Sequence, residues 1–120
     1  MTWKNLALNI SRQRVIIEGT TKEMVLPGQI EDYLIKLSEV LGMRALRAPF
    51  TYPAEDKGYG GWIHWVTSGA HFYSYSENWS SPSLFTVDAY TCKPFCVEEA
   101  VRFTKEYFEP IDIVWKNIEV

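Results

Sequence analysis

The run "TSGAHFYSYSENW", Thr67 to Trp79, sets His71, Tyr73, Tyr75 and Glu77 at alternate positions, with Ala70, Phe72, Ser74 and Ser76 between them. In an extended strand alternate residues share a face. One face would therefore present an imidazole for proton transfer, two phenol rings able to stack on a planar ligand, and a carboxylate able to accept hydrogen bonds from an amine or a ribose hydroxyl. The later run "LFTVDAYTC" repeats the pattern, with Asp88, Tyr90 and Cys92 against Phe85, Val87 and Ala89. If helices cover the Phe72 and Val87 side, then His71, Tyr73, Tyr75, Asp88, Tyr90 and Cys92 gather on the uncovered side. Phe50 and Trp65, from neighbouring strands, would add apolar walls. A plain structural role competes with this one. Tyrosines in rows form cross-strand pairs worth about 0.2–1 kcal/mol each, and tyrosine is enriched in subunit interfaces.

The elements that would position these residues are legible in the periodicity. "LALNI" and "QRVIIEGTT" read as a hairpin or one bent strand, and Pro27 with Gly28 marks a boundary. "QIEDYLIKLSEVLGM" places Ile30, Tyr33, Leu34, Leu37, Val40 and Leu41 on one helical stripe, with Gly42 past its end. "RALRAPFTY" reads as a strand broken by Pro49 and so confined to an edge or an exit. "PAEDKGYGG" reads as a loop, and three strands follow as a meander. "CVEEAVRFTKEYF" is a second amphipathic helix stopped by Pro110, and "IDIVWKNIEV" alternates as a last strand. The order strand, helix, strands, helix, strand predicts an α+β fold: one domain over residues 1–120, a two-layer α/β sandwich with two helices on one face of an antiparallel sheet.

Composition bounds the function. The chain has 120 residues, a net charge of −3 and aromatics at 15%. Its basic residues are scattered, which argues against a nucleic-acid surface. No apolar run approaches the ~20 residues of a membrane span, and "MTWKNLALNI" is too weakly apolar for a secretory signal. A cytoplasmic protein is expected, with Cys92 and Cys96 reduced. Only His64 and His71 could join those thiols around zinc, so no metal site is expected. Cys96, near a helix start, reads as packing.

"AHFYSYSENW", followed by "VDAYTC" and by "FEPIDIVWKNIEV", resembles the small prokaryotic S-adenosylmethionine decarboxylases. Their strand of the type Glu-Ser-His-x-Ser-x-His-Thr-Trp-Pro-Glu precedes a strand ending Val-Asp-x-Phe-Thr-Cys. The resemblance spans residues 13–120 and is anchored most specifically by "VDAYTC". It implies a two-layer sandwich, dimers with sites near subunit contacts, and a serine that cleaves its own backbone to become a pyruvoyl group, the electron sink for decarboxylation in polyamine biosynthesis. Alignment on His71 puts Ala70 at that serine, Gly69 at the preceding glutamate, Tyr75 at the second histidine and Ser76 at the threonine. Cys92 falls at the proton-donating cysteine. Without the serine hydroxyl, neither self-processing nor the pyruvoyl group is expected. A slip of two residues would make Ser68 the nucleophile and would need a bulge at Gly69.

Three functions follow from these residues. The leading one is a decarboxylase-like protein without pyruvoyl chemistry, binding a nucleoside-like or amine small molecule. The second is an interaction module, either a homodimer or the regulatory partner of an active decarboxylase. The third is an active enzyme, either the slipped decarboxylase or one using Cys92 and His71 in thiol chemistry.

Overall fold

The structure, a computed structural model, describes residues 2–119. Its elements run β1 (Gln13–Thr21), α1 (Pro27–Val40), β2 (Phe50–Pro53), β3 (Gly58–Trp65), β4 (Ser68–Tyr75), β5 (Ser83–Thr91), α2 (Val97–Phe108) and β6 (Asp112–Glu119). The strands form one six-stranded antiparallel sheet in the order β2-β3-β4-β5-β1-β6. Both helices pack on the same face, giving the expected α+β two-layer sandwich. Among the described residues no helix is long and apolar enough to cross a membrane.

The core lies between that face and the helices. Val15, Ile17, Ile63, Ala70, Phe72, Phe85, Val87 and Ala89 supply the sheet side, at alternate positions along their strands. Ile30, Tyr33, Leu34 and Leu37 of α1, with Val97, Ala100 and Val101 of α2, supply the other. Tyr33 is central. Its ring lies 4.9 Å from that of Phe108 and 5.5 Å from that of Phe72. Its hydroxyl donates to Thr104 Oγ1 at 2.7 Å, because the Thr104 proton is already committed to the Ala100 carbonyl. Burial pushes the Tyr33 pKa up, so this donor stays protonated.

Helix α1 starts earlier than its apolar stripe suggests. Pro27 occupies its first turn, where a missing N–H costs nothing, and the Gln29 side chain accepts from the Leu26 backbone. Gly42, at φ +68°, ends it: the Gly42 N–H donates to the Glu39 carbonyl and the Met43 N–H to that of Ser38. Three other segments differ from expectation. Residues 2–12, including "LALNI", form no strand and turn through a hydrogen bond from Ile10 to Ala7. "RALRAPFTY" contributes one bridge, Ala45 with Trp65, and then the edge strand β2, since Pro49 has no N–H to donate. Strand β3 begins at Gly58, so much of the expected "PAEDKGYGG" loop is strand.

Gly61 belongs to that strand for a packing reason. A methyl group there would collide with Ile30 on α1, whereas one at Gly28, in the first turn of α1, would meet nothing within 4 Å. We therefore expect Gly61→Ala to destabilise the fold by about 1–3 kcal/mol through overpacking. Gly28→Ala should instead be neutral or stabilise by up to about 1 kcal/mol. Urea titration of the two variants checks both.

Candidate functional site

The helix-free face of the sheet carries the other half of each alternation. Strand register sets Trp62 opposite His71 and His71 opposite Asp88, so three strands contribute to one row. Along β3, Trp62 and His64 share that face. The Trp62 indole thus meets two imidazoles edge-on, with ring centroids 5.3 Å from His64 and 5.1 Å from His71. Tyr73 lies 6.5 Å beyond His71, and Tyr75 lies 4.5 Å beyond Tyr73. On β2, Phe50 and Tyr52 form a further pair at 5.3 Å.

At the other end of the row, Arg14 of β1 grips Asp88 of β5. Its Nε donates to Oδ1 at 2.9 Å and its Nη2 to Oδ2 at 2.7 Å. Hydrogen bonding to Asp88, followed by its charge, holds the Arg14 pKa above the ordinary value. Both side chains remain about one-third exposed, so the pair adds no more than about 1 kcal/mol to stability. Its effect is on geometry: it holds the guanidinium and the carboxylate in one plane at the cleft wall.

Two adjoining cavities open on this face. The first, of about 440 Å³, is bordered by Arg14, Trp62, His64, His71, Asp88 and Tyr90, with Leu46, Trp65, Ser68 and Gly69 at its rim. The second, of about 230 Å³, lies on the other side of the Trp62–His71 pair, between Phe50, Tyr52 and Tyr73, over the bare backbone of Gly60 and Gly61. The absence of a side chain at Gly60 keeps its floor open, since a methyl group there would come within 3.9 Å of both His71 and Tyr73. The arrangement can stack a planar ring and hydrogen-bond a polar substituent at its end.

The structure thus brings together His71, Tyr73, Asp88, Tyr90 and Phe50 of the residues expected at a site. It separates others. Trp65 borders the first cavity, yet its indole is 1% exposed and buried beneath the sheet, donating to Ser38 Oγ at 2.8 Å. Strand parity places it with Ile63 on the helix side, not with Phe50. Glu77 follows the end of β4 and lines neither cavity, because the chain turns after Ser76, whose carbonyl accepts from the N–H groups of Trp79 and Ser80. Tyr75 lies tilted against Tyr73, outside both cavities. Cys92 lies one residue past β5, exposed, with its N–H on the Thr67 carbonyl, and it too lies outside the cavities. Cys96 is exposed rather than packed, with its thiol 3.5 Å from Glu98 Oε2.

Ala70 faces the core, fully buried between Ala89 and Ile63 of the neighbouring strands. Ser68 is at the cavity rim, where the two-residue turn Val66-Thr67 returns to β4. From Ser68 onward β4 pairs one-for-one with β3, and as far as Ser74 with β5, so the bulge at Gly69 that a slipped alignment requires is absent. Arg14, Tyr52, Trp62 and His64 were not among the expected residues. Alternation along β3 could have found Trp62 and His64. Nothing local marks Arg14, whose partner is 74 residues away. Among the described residues no group of three His, Cys, Asp or Glu side chains is placed to hold a metal ion.

The fold is shared with a solved structure, the adenosylmethionine decarboxylase from Aquifex aeolicus VF5. The two superpose with a TM-score of 0.72 over 92% of this chain and 90% of that one, at 16% identity. That likeness establishes a decarboxylase-like fold. No protein-family model and no curated protein sequence matches the chain.

Ser68 holds a φ of +124°, a region that side chains other than glycine rarely adopt. We expect Ser68→Gly to raise stability by about 1 kcal/mol, the relieved strain exceeding the added chain entropy. A thermal melt compared with the parent measures it.

Proposed function

We propose that this chain is a small-molecule-binding protein on a decarboxylase-like fold, without self-processing or pyruvoyl chemistry, and that its ligand carries a planar, nucleoside-like ring. The observation that carries the reading is the pair of joined cavities on the helix-free face, with Trp62 and His71 as their common wall. Phe50, Tyr52, Trp62 and Tyr73 offer ring faces and edges around the smaller cavity, while Asp88 and Tyr90 offer polar groups in the larger. Base–aromatic stacking of this kind contributes about 1–3 kcal/mol per ring.

The loss of pyruvoyl chemistry is supported by Ala70. It has no hydroxyl to attack a neighbouring carbonyl, and its methyl group points into the core, away from His71. The residues at that position do not fit the precursor of a pyruvoyl group. Ser68, the other candidate nucleophile, sits in a hairpin of continuous register. Denaturing mass spectrometry should find one species near 13.9 kDa. Two fragments divided before Ser68, the later one lacking a free amine, would make the chain a working decarboxylase instead.

Adenosine is a suitable first ligand. Calorimetry should detect its binding, and Trp62→Ala should weaken it about ten-fold or more, in line with the loss of one stacking partner.

A second reading, that the same face docks a homodimer partner or a related decarboxylase subunit, is favoured by the exposure of its aromatics. Tyr52 is 67% exposed, Trp62 40% and Tyr90 37%. Sedimentation velocity separates the two: a concentration-dependent dimer abolished by Trp62→Ala, with no adenosine binding, would favour the interface.

A further inference from the structure

In the larger cavity the one cation keeps free hydrogen-bond donors while the one carboxylate is engaged by it. Asp88 is that carboxylate, and both of its oxygens already accept from Arg14. Arg14 spends only Nε and Nη2 on that pair, leaving Nη1 with two N–H groups to give. Beside it stand the imidazoles of His64 and His71 and the hydroxyls of Ser68 and Tyr90. Among the described residues none of these four side chains makes a hydrogen bond within the chain. A neutral imidazole offers one N–H and a protonated one offers two. A ligand group placed here therefore meets donors from four strands, and an amine would have to share Asp88 with Arg14.

We propose that the Arg14 end of the larger cavity is an oxyanion subsite, so that the planar ligand carries a phosphate or carboxylate held by Arg14, with His64 and His71 as further donors. This rests on the ring-binding function proposed above and specifies its substrate class. A guanidinium presents parallel N–H groups matched to either oxyanion, and such charge-assisted bonds are roughly twice as strong as neutral ones. The spacing suits the assignment. The ring cavity lies over β2 and β3 and the Arg14–Asp88 pair over β1 and β5. At the ~4.8 Å separation of neighbouring strands, these are two to three strands, or roughly 10–14 Å, apart. That leaves room for a sugar-sized linker between ring and anion. Asp88 then has a defined role, orienting the guanidinium and tempering its charge.

The chain has two histidines: His64 borders this cavity alone, whereas His71 borders both, so a shift confined to His71 marks the ring cavity and one that includes His64 marks the larger one. Adenosine, adenosine 5′-monophosphate, adenosine-5′-carboxylic acid, 5′-amino-5′-deoxyadenosine and inorganic phosphate would each be titrated at low salt, with calorimetry for affinity and NMR of the two imidazoles for location. The monophosphate should bind about ten-fold or more tighter than adenosine, with the amine weakest. The carboxylic acid arm shows whether the site takes carboxylate as well as phosphate. Arg14→Gln should bring the ratio of monophosphate to adenosine affinity close to one, and Asp88→Asn, which frees the guanidinium, should raise it. Equal affinity for monophosphate and adenosine, or preference for the amine, overturns the oxyanion subsite while leaving ring binding intact. Phosphate shifting both imidazoles, with Arg14→Gln abolishing the shift and no adenosine compound binding, supports the subsite and overturns ring binding. No response to any of the five compounds overturns both.

Discussion

One-sided coverage of the sheet is the constraint on which the rest of the structure depends. Six antiparallel strands present two faces, and two helices of fourteen and twelve residues cover one of them. Every strand residue must then belong to a dry side or a wet side, because side chains alternate. The dry side is filled by aliphatic residues and by the ring cluster around Tyr33, Phe72, Phe85 and Phe108. The wet side is where polar and aromatic groups can meet a ligand without disturbing the core.

That division explains how the chain shares a decarboxylase-like fold at 16% identity. The core requires apolar side chains of suitable size on one parity of each strand, and many sequences meet that requirement. Site chemistry requires particular groups at particular positions. Ala70, buried on the core face, meets the first demand. Core and candidate site are separable here because they are written on opposite faces of the same strands.

The helix-free face is organised around Trp62. It stands between His64 on its own strand and His71 on the next, and it divides a smaller aromatic cavity from the larger one that holds the Arg14–Asp88 pair. Arg14 and Asp88 close the polar end as a two-pronged pair across β1 and β5. Neither feature adds much to stability, since the groups are partly exposed. Their consequence is a surface with fixed positions for rings and for charge.

Local periodicity carried the element order, both helical stripes, the termination at Gly42 and the faces of β4 and β5, because these depend on neighbours within a few residues. The sequence by itself therefore determined which side of the sheet would be dry, and that His71, Tyr73, Asp88 and Tyr90 would lie on the other. It did not determine where strands stop. Glu77 and Cys92 continue the alternation on paper, yet β4 gives way to a turn in which Trp79 and Ser80 donate to the Ser76 carbonyl, and β5 ends at Thr91. Nor did it assign Trp65 to the core, because that requires the parity of β3 and a partner hydroxyl on α1. The join of Arg14 to Asp88, and the placing of Trp62 across from His71, were decided by tertiary structure alone. Strand order and register bring together residues far apart in the chain, and no pattern within one segment encodes which strand will lie beside it.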